Sequence, residues 1–257
     1  MNLRSFPGTR EISVGVLFYL YLPVMVLVIY SFNDNRTATI WTGASARWYG
    51  RILVNPSIQA ATWNSLVLAF AGAIGATLIA LLAALASKTS FRGQGGVEAM
   101  INAPLILPEI VVAVATLIMF VAVGVQLGLA AMIPAHIAFC TPFAYLPIRA
   151  RLEGMNPSFE EAAQDLYANR LTTFRRVTLP LLWPGILAGF TLAFVTSLDD
   201  FLTSFFLSGP GSTTLPVYIF AAIRSGISPE INAISTVMLV ISVTLVVLSF
   251  ALGRIRR

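Results

Sequence analysis

Six long apolar segments constrain the fold of this chain more than any other feature. They lie at about 11–30, 59–86, 99–123, 129–148, 181–207 and 232–252, and a membrane-spanning helix needs about 20 such residues. In hydrocarbon, a helix satisfies its own backbone hydrogen bonds without water. The sequence therefore predicts an all-α membrane protein with six transmembrane helices in a single membrane domain, residues 1–257.

The amino-acid composition also predicts a membrane protein. Hydrophobic residues make up 57% of the chain and charged residues only 11%, whereas soluble domains carry about 25% charged residues. The first apolar segment exceeds the roughly 7–15 residues of a signal peptide core, so we expect an uncleaved span. The single cysteine, Cys140, excludes an internal disulfide and a cysteine-based zinc site.

Local patterns add detail to the spans. Pro104 and Pro108 predict a kink in the third span. The second span carries small residues that favour close helix approach, namely Ala69, Gly72, Ala73, Gly75 and Ala76. Residues 46–53 are typical of an interfacial helix with aromatic anchors.

The distribution of basic residues predicts the orientation. With six spans, 12 of the 16 Lys and Arg residues fall on one face and 4 on the other. The positive-inside rule assigns the richer face to the cytoplasm. Both termini and the polar loop at 149–180 are therefore expected to be cytoplasmic.

The loop at 149–180 is the longest polar region of the chain. Ser158 and Glu161 have the spacing of a capping box, which predicts a short amphipathic helix, and a second short helix is expected from about Thr172. From these features alone, an ordinary connector on the membrane surface remains an equally good interpretation.

The residues of this loop resemble a known family. Glu161-Ala162-Ala163, Asp165-Leu166 and Phe174 to Pro180 are similar to the EAA loop of the permease subunits of binding-protein-dependent (MetI-like) ABC importers. The resemblance implies a type I importer permease fold in the bacterial inner membrane and a coupling helix that docks into the ATPase subunit. Its contact residues would be Glu160, Glu161, Ala162, Ala163, Asp165, Leu166 and Tyr167. Tyr167 replaces the family's glycine.

Further segments are similar to the second permease subunit of spermidine/putrescine importers. They are residues 91–93, 108–111, 126–128, 136–143, 197–200, 208–210, 214–216 and 226–233. This resemblance implies import of a polyamine or a related organic cation. It also implies a second, homologous permease as heterodimer partner, two ATPase subunits and a periplasmic binding protein, but no nucleic acid.

The sequence offers few residues for catalysis or nucleotide binding. Gly93-Gln94-Gly95-Gly96 lacks the Lys-Ser/Thr end of a phosphate-binding loop. We therefore expect no cofactor in this chain, no enzymatic activity, and ATP-Mg bound by the partner ATPase. The single histidine, His136, is interpreted as a hydrogen-bonded residue of the helix bundle rather than a ligand.

Carboxylates inside the spans are the main candidates for the substrate pathway. Asp199, Asp200 and Glu109 would each be costly in lipid and should face a cavity or a partner. Asp199 and Asp200 differ by about 100° on a helix, so only one can face the path directly. Ser197, Trp48 and Trp41 are further candidates, the tryptophans through cation–π contact. A structural network of acids, and plain interface anchoring by the tryptophans, remain the alternatives.

Three functions compete at this point. The first is the ABC permease, for a polyamine or for another solute such as an opine, an amino-acid derivative or iron. The second is an ion-coupled secondary transporter that uses Asp199 and Asp200, although no inverted repeat is evident. The third is a membrane scaffold without transport activity.

Overall fold

The computed structural model describes residues 8–37, 40–224, 226 and 228–255. Their regular elements are helices, apart from one isolated bridge between Asn33 and Ala44. The helices are α1 (Thr9–Tyr30), α2 (Arg47–Val54), α3 (Pro56–Ala86), α4 (Gln94–Ile106), α5 (Glu109–Val123), α6 (Leu129–Glu153), α7 (Ser158–Asp165), α8 (Arg170–Thr173), α9 (Leu179–Asp199), α10 (Leu202–Leu207), α11 (Leu215–Arg224) and α12 (Pro229–Ile255). A π-helical segment, Phe174–Thr178, joins α8 to α9. The predicted all-α fold class is confirmed.

Within the described residues, five continuous helices are long and apolar enough to cross a membrane. They are Thr9–Tyr30, Pro56–Ala86, Leu129–Glu153, Arg170–Asp199 and Pro229–Ser249. The bent pair α4 and α5 makes a sixth if it is counted as one span. Arg4, Arg256 and Arg257, which entered the charge argument, lie outside the described residues. The cytoplasmic location of the termini stays a prediction.

The third predicted span is broken rather than kinked. α4 and α5 meet at an angle of 111°, and Leu107 between them is extended, with ψ 142°. The cause is Pro108, since a residue before proline is driven out of the helical region. Pro104, in contrast, lies inside α4.

The fifth predicted span, 181–207, is also not one helix. α9 ends at Asp199, Asp200 is extended with ψ 121°, and α10 begins at Leu202. Neither proline nor glycine occurs at this break. Its cause is the set of hydrogen bonds described below.

Two compact units divide the chain, Met1–Gln59 with Tyr218–Ile241, and Ala60–Val217 with Ser242–Arg257. In the first, the buried side chain of Asn33 donates to Ile40 O (2.8 Å) and accepts from Thr42 N (3.3 Å). The indole of Trp48 donates to Asn33 O (2.7 Å). These bonds give the described residues between α1 and α2 a defined shape.

The second unit is built on close helix contacts. As predicted, α3 presents small residues inward, and Ala69, Ala73 and Ala76 are fully buried. A Cβ on Gly75 would lie 2.5 Å from Ile137 Cδ1 of α6. The spacing Gly185-x-x-x-Gly189 on α9, a known signal for close helix packing that our sequence interpretation missed, brings α9 against α6.

Candidate functional site

The polar loop predicted at 149–180 starts later than expected, because α6 continues to Glu153 before α7 begins at Ser158. The predicted capping box is wrong. Pro157 holds the N-cap position without a side-chain cap, and the Ser158 N–H is bound by Asn156 Oδ1 at 3.0 Å. An asparagine side chain that accepts a hydrogen bond from the N–H two residues later commonly starts a turn. Asn156, and not Ser158, therefore supplies the side-chain hydrogen bond at the start of α7.

The segment after α7 contains an unusual backbone conformation. Tyr167 has φ 59° and is the one non-glycine residue with positive φ in the described part of the chain. Its side chain is 98% exposed. A left-handed conformation costs an L-residue about 1–2 kcal/mol, and glycine avoids this cost. The turn therefore keeps a glycine-type shape although tyrosine occupies it.

Glu160 points into the protein. Its carboxylate accepts two hydrogen bonds from Lys88 Nζ (2.6 and 2.7 Å) and one from Thr178 Oγ1 (2.6 Å). The bonds from Lys88 and then Thr178 hold the pKa of Glu160 below its ordinary value. Lys88 follows the end of α3, and Thr178 ends the π-helical segment. Glu160 thus ties α7 to both neighbours.

The other side of α7 is open. Glu161, Ala162 and Asp165 are exposed, and Ala163 is half-buried. Large apolar side chains flank them, with exposed fractions of 54% for Phe159, 82% for Leu166 and 57% for Leu171. Exposed apolar side chains grouped in this way are typical of a protein interaction site. The second short helix starts at Arg170, two residues earlier than predicted, and Asn169 caps it by accepting from Thr172 N (2.8 Å).

The two helix breaks carry the predicted pathway acids. Glu109 is the first residue of α5 and Asp199 the last of α9, and both are exposed. Asp200, the next residue, is 5% exposed. The prediction that the two neighbouring aspartates point in different directions agrees with this burial.

Ser197 and Asp200 contact a histidine. His136 Nδ1 lies 2.7 Å from Ser197 Oγ, and His136 Nε2 lies 3.3 Å from Asp200 Oδ2. The side chains of His136 and Asp200 are both fully buried. His136 is thus the hydrogen-bonded residue we expected, but its partners were missed. A lone histidine in an apolar span requires a polar partner, and that signal was available in the sequence.

Trp48 makes its contacts within the first compact unit. Its side chain is buried, with 3% exposed, and the Arg47 and Arg51 guanidinium carbons lie 4.7 and 5.0 Å from its ring centroid. Trp41 remains 46% exposed. Among the described residues, no group of three or more His, Cys, Asp or Glu side chains is placed to hold a metal ion.

Known proteins resemble the chain over most of its length. The family profile "Binding-protein-dependent transport system inner membrane component" matches residues 76–256. The chain is 42% identical over 229 residues to the putrescine transport system permease protein PotI of Escherichia coli K12, covering 86% of this chain and 82% of that protein. It is 38% identical over 241 residues to the spermidine/putrescine transport system permease protein PotC of the same organism, covering 93% and 91%.

Solved structures show the same fold. A bacterial ABC transporter involved in the import of the acidic polysaccharide alginate has a chain that superposes with a TM-score of 0.71 at 17% identity, covering 95% of this chain and 92% of that one. The methionine ABC transporter MetNI gives a TM-score of 0.63 at 19% identity, with coverages of 77% and 94%. The chain is a multi-pass inner membrane protein and belongs to the family of binding-protein-dependent transport system inner membrane components.

Proposed function

We propose that this chain is a permease subunit of an ATP-driven importer and forms the translocation path for a polyamine such as spermidine or putrescine. One observation carries the proposal. Relatives named for putrescine and spermidine/putrescine transport match 86–93% of the chain at 38–42% identity. Polyamines are small polycations, and exposed carboxylates at two helix breaks have the charge that suits them.

The pathway is proposed to run past Glu109 and Asp199. Non-helical backbone at membrane depth is tolerated where it lines a cavity or is buried in protein, and both residues adjoin such backbone. Their carboxylates would replace water around each ammonium group. Asp200 and Ser197 support this region from within the protein, and the two arginines over the Trp48 ring disfavour that tryptophan as a substrate contact.

The open side of α7 is proposed to dock with an ATPase subunit. Glu161, Ala162, Asp165, Leu166 and Tyr167 would form the contact, while Glu160 and the half-buried Ala163 face inward. ATP-Mg and its hydrolysis then belong to the ATPase, and this chain is a non-catalytic subunit. The complete importer would comprise this chain, a second permease, two ATPase subunits and a periplasmic binding protein.

Uptake by the complete complex in proteoliposomes tests the proposal. We expect ATP-dependent uptake of radiolabelled putrescine or spermidine. Hydrogen bonds to charged groups contribute about 1.5–3 kcal/mol, so Asp199→Asn should lower uptake about tenfold or more. Asp34→Asn is the matched control, since Asp34 pairs with Arg47 in the α1–α2 loop.

Other outcomes would overturn the proposal. Uptake of an opine, an amino-acid derivative or an iron chelate without polyamine uptake would replace the substrate. Uptake driven by an ion gradient with this chain alone would indicate a secondary transporter. If no ATPase subunit co-purifies with the chain, the coupling role fails.

A further inference from the structure

A buried polar cluster in the second unit joins three helices. Its buried members are His136 on α6, Ser197 on α9, Asp200 after α9 and Ser204 on α10, and Asp200 also hydrogen-bonds the exposed Glu109 that begins α5. The buried members are between 0% and 5% exposed. Polar groups buried this deeply must satisfy one another, because an unpaired one costs about 1–3 kcal/mol.

The break between α9 and α10 is held by the carboxylate of Asp200. That carboxylate accepts a hydrogen bond from Ser204 N at 2.9 Å and another from Thr203 N at 3.4 Å. The Ser204 hydroxyl donates to the same carboxylate at 3.1 Å. Asp200 therefore satisfies the first N–H groups of α10, which have no partner within the helix.

The imidazole of His136 contacts both sides of this break. Nδ1 lies 2.7 Å from Oγ of Ser197, two residues before the end of α9. Nε2 lies 3.3 Å from Asp200 Oδ2 and 3.4 Å from Ser204 Oγ. One side chain of α6 thus links the end of α9 to the start of α10.

Gly72 of α3 packs closely against His136 and Ser197. A Cβ at position 72 would lie 3.2 Å from His136 Cβ and 3.3 Å from Ser197 Oγ. The glycine lets α3 approach both residues closely and leaves them little room to separate. His136 is completely buried, so substrate contact by its imidazole is excluded in this conformation.

We propose that His136 is a positioning residue for transport. It fixes the α9–α10 break with Asp200 turned inward, and the break in turn presents the adjacent Asp199 outward to the translocation path. The inference rests on the proposed pathway role of Asp199. His136 acts through the backbone at the break and does not touch the substrate.

A double-mutant cycle tests this role. ATP-dependent putrescine uptake by the complete complex is measured for His136→Ala, Asp199→Asn and the double variant, normalised to complex in the membrane. If His136 acts through Asp199, the double variant retains about fivefold more uptake than the product of the single losses predicts. A general loss of stability would make the two losses multiply.

His136→Gln and Ser197→Ala complete the design. Glutamine keeps an amide donor and acceptor at position 136, so His136→Gln should retain more uptake than His136→Ala. Ser197→Ala removes one hydroxyl and replaces His136→Ala in the cycle if that variant does not assemble.

The outcomes separate this inference from the proposed function. If Asp199→Asn reduces uptake but the two single losses simply multiply in the double variant, the positioning role of His136 alone is overturned. The same conclusion follows if His136→Gln retains no more uptake than His136→Ala. Asp199→Asn with full uptake removes the pathway role, and the inference falls with it. Absence of polyamine uptake by the unmodified complex refutes the proposed substrate.

Discussion

Replacing Gly189 with alanine should weaken the contact between α9 and α6. A Cβ at this position would lie 2.6 Å from Ala144 O, 3.2 Å from Ala144 Cα and 3.3 Å from Ala144 C. All three atoms are backbone, so no side chain can rotate away. The two helices must separate locally to admit the methyl group.

The size of the effect follows from two opposing contributions. Extra methyl groups in a close-packed interior cost about 1–3 kcal/mol. Alanine recovers about 1 kcal/mol of helix propensity relative to glycine. Gly95→Ala in α4 gains the propensity without the clash, since nothing lies within 4 Å of a Cβ there. Comparing the two variants therefore isolates the clash.

Thermal unfolding of the purified permease in lipid nanodiscs measures the difference. At about 2–4 °C per kcal/mol for a chain of this length, Gly189→Ala should unfold about 2–12 °C below Gly95→Ala. Gly185→Ala should behave similarly, because its Cβ would lie 2.7 Å from Arg151 Cβ. Equal unfolding temperatures for Gly189→Ala and Gly95→Ala would refute the close contact.

Three changes probe α7 and the turn that follows it. Tyr167→Gly should stabilise the turn after α7 by up to about 1 kcal/mol, because glycine removes the cost of φ 59°; hydrogen exchange at α7 measures this, and Tyr167→Ala, which keeps the cost, should show no gain. Glu160→Gln should lower the unfolding temperature at neutral pH. Since Lys88 and Thr178 hold the pKa of Glu160 below 4.5, the stability from ionised Glu160 is complete above pH 4.5 and is lost as pH falls through the folded-state pKa. The deficit of Glu160→Gln should therefore shrink below pH 4.5, and a pH-independent deficit contradicts the assignment. Glu161→Lys should abolish co-purification of the ATPase without affecting membrane insertion, whereas Glu160→Gln should retain co-purification; full transport by Glu161→Lys would exclude docking through this face.

The apolar segments and the fold class followed from the sequence because the bilayer imposes a local rule. Each span must satisfy its own backbone, so length and hydropathy identify it without knowledge of its neighbours. The small residues of α3 also predicted a close approach, since their effect depends only on side-chain size. The same rule applied to Gly185 and Gly189 would have located the α6–α9 contact.

The helix breaks depended on more than local sequence. Pro108 predicted a bend, but the angle of 111° also depends on what α4 and α5 contact. The break at Asp200 has a local part, since the carboxylate accepts from Thr203 N and Ser204 N, but its other partner, His136, lies 64 residues earlier in the chain. For the same reason, sequence alone assigned Ser197 and Asp200 to the substrate path, although both are buried against that histidine.

One helical run connects the turn after α7 to the proposed pathway. α8, the π-helical segment and α9 follow one another without interruption from Arg170 to Asp199, a run of 30 residues. At 1.5 Å per residue this run is about 45 Å long. If the run moves as one body, a tilt of about 5° at Arg170 displaces Asp199 by about 4 Å. Small rotations beside α7 would thereby become displacements of molecular size at Asp199, the proposed pathway carboxylate.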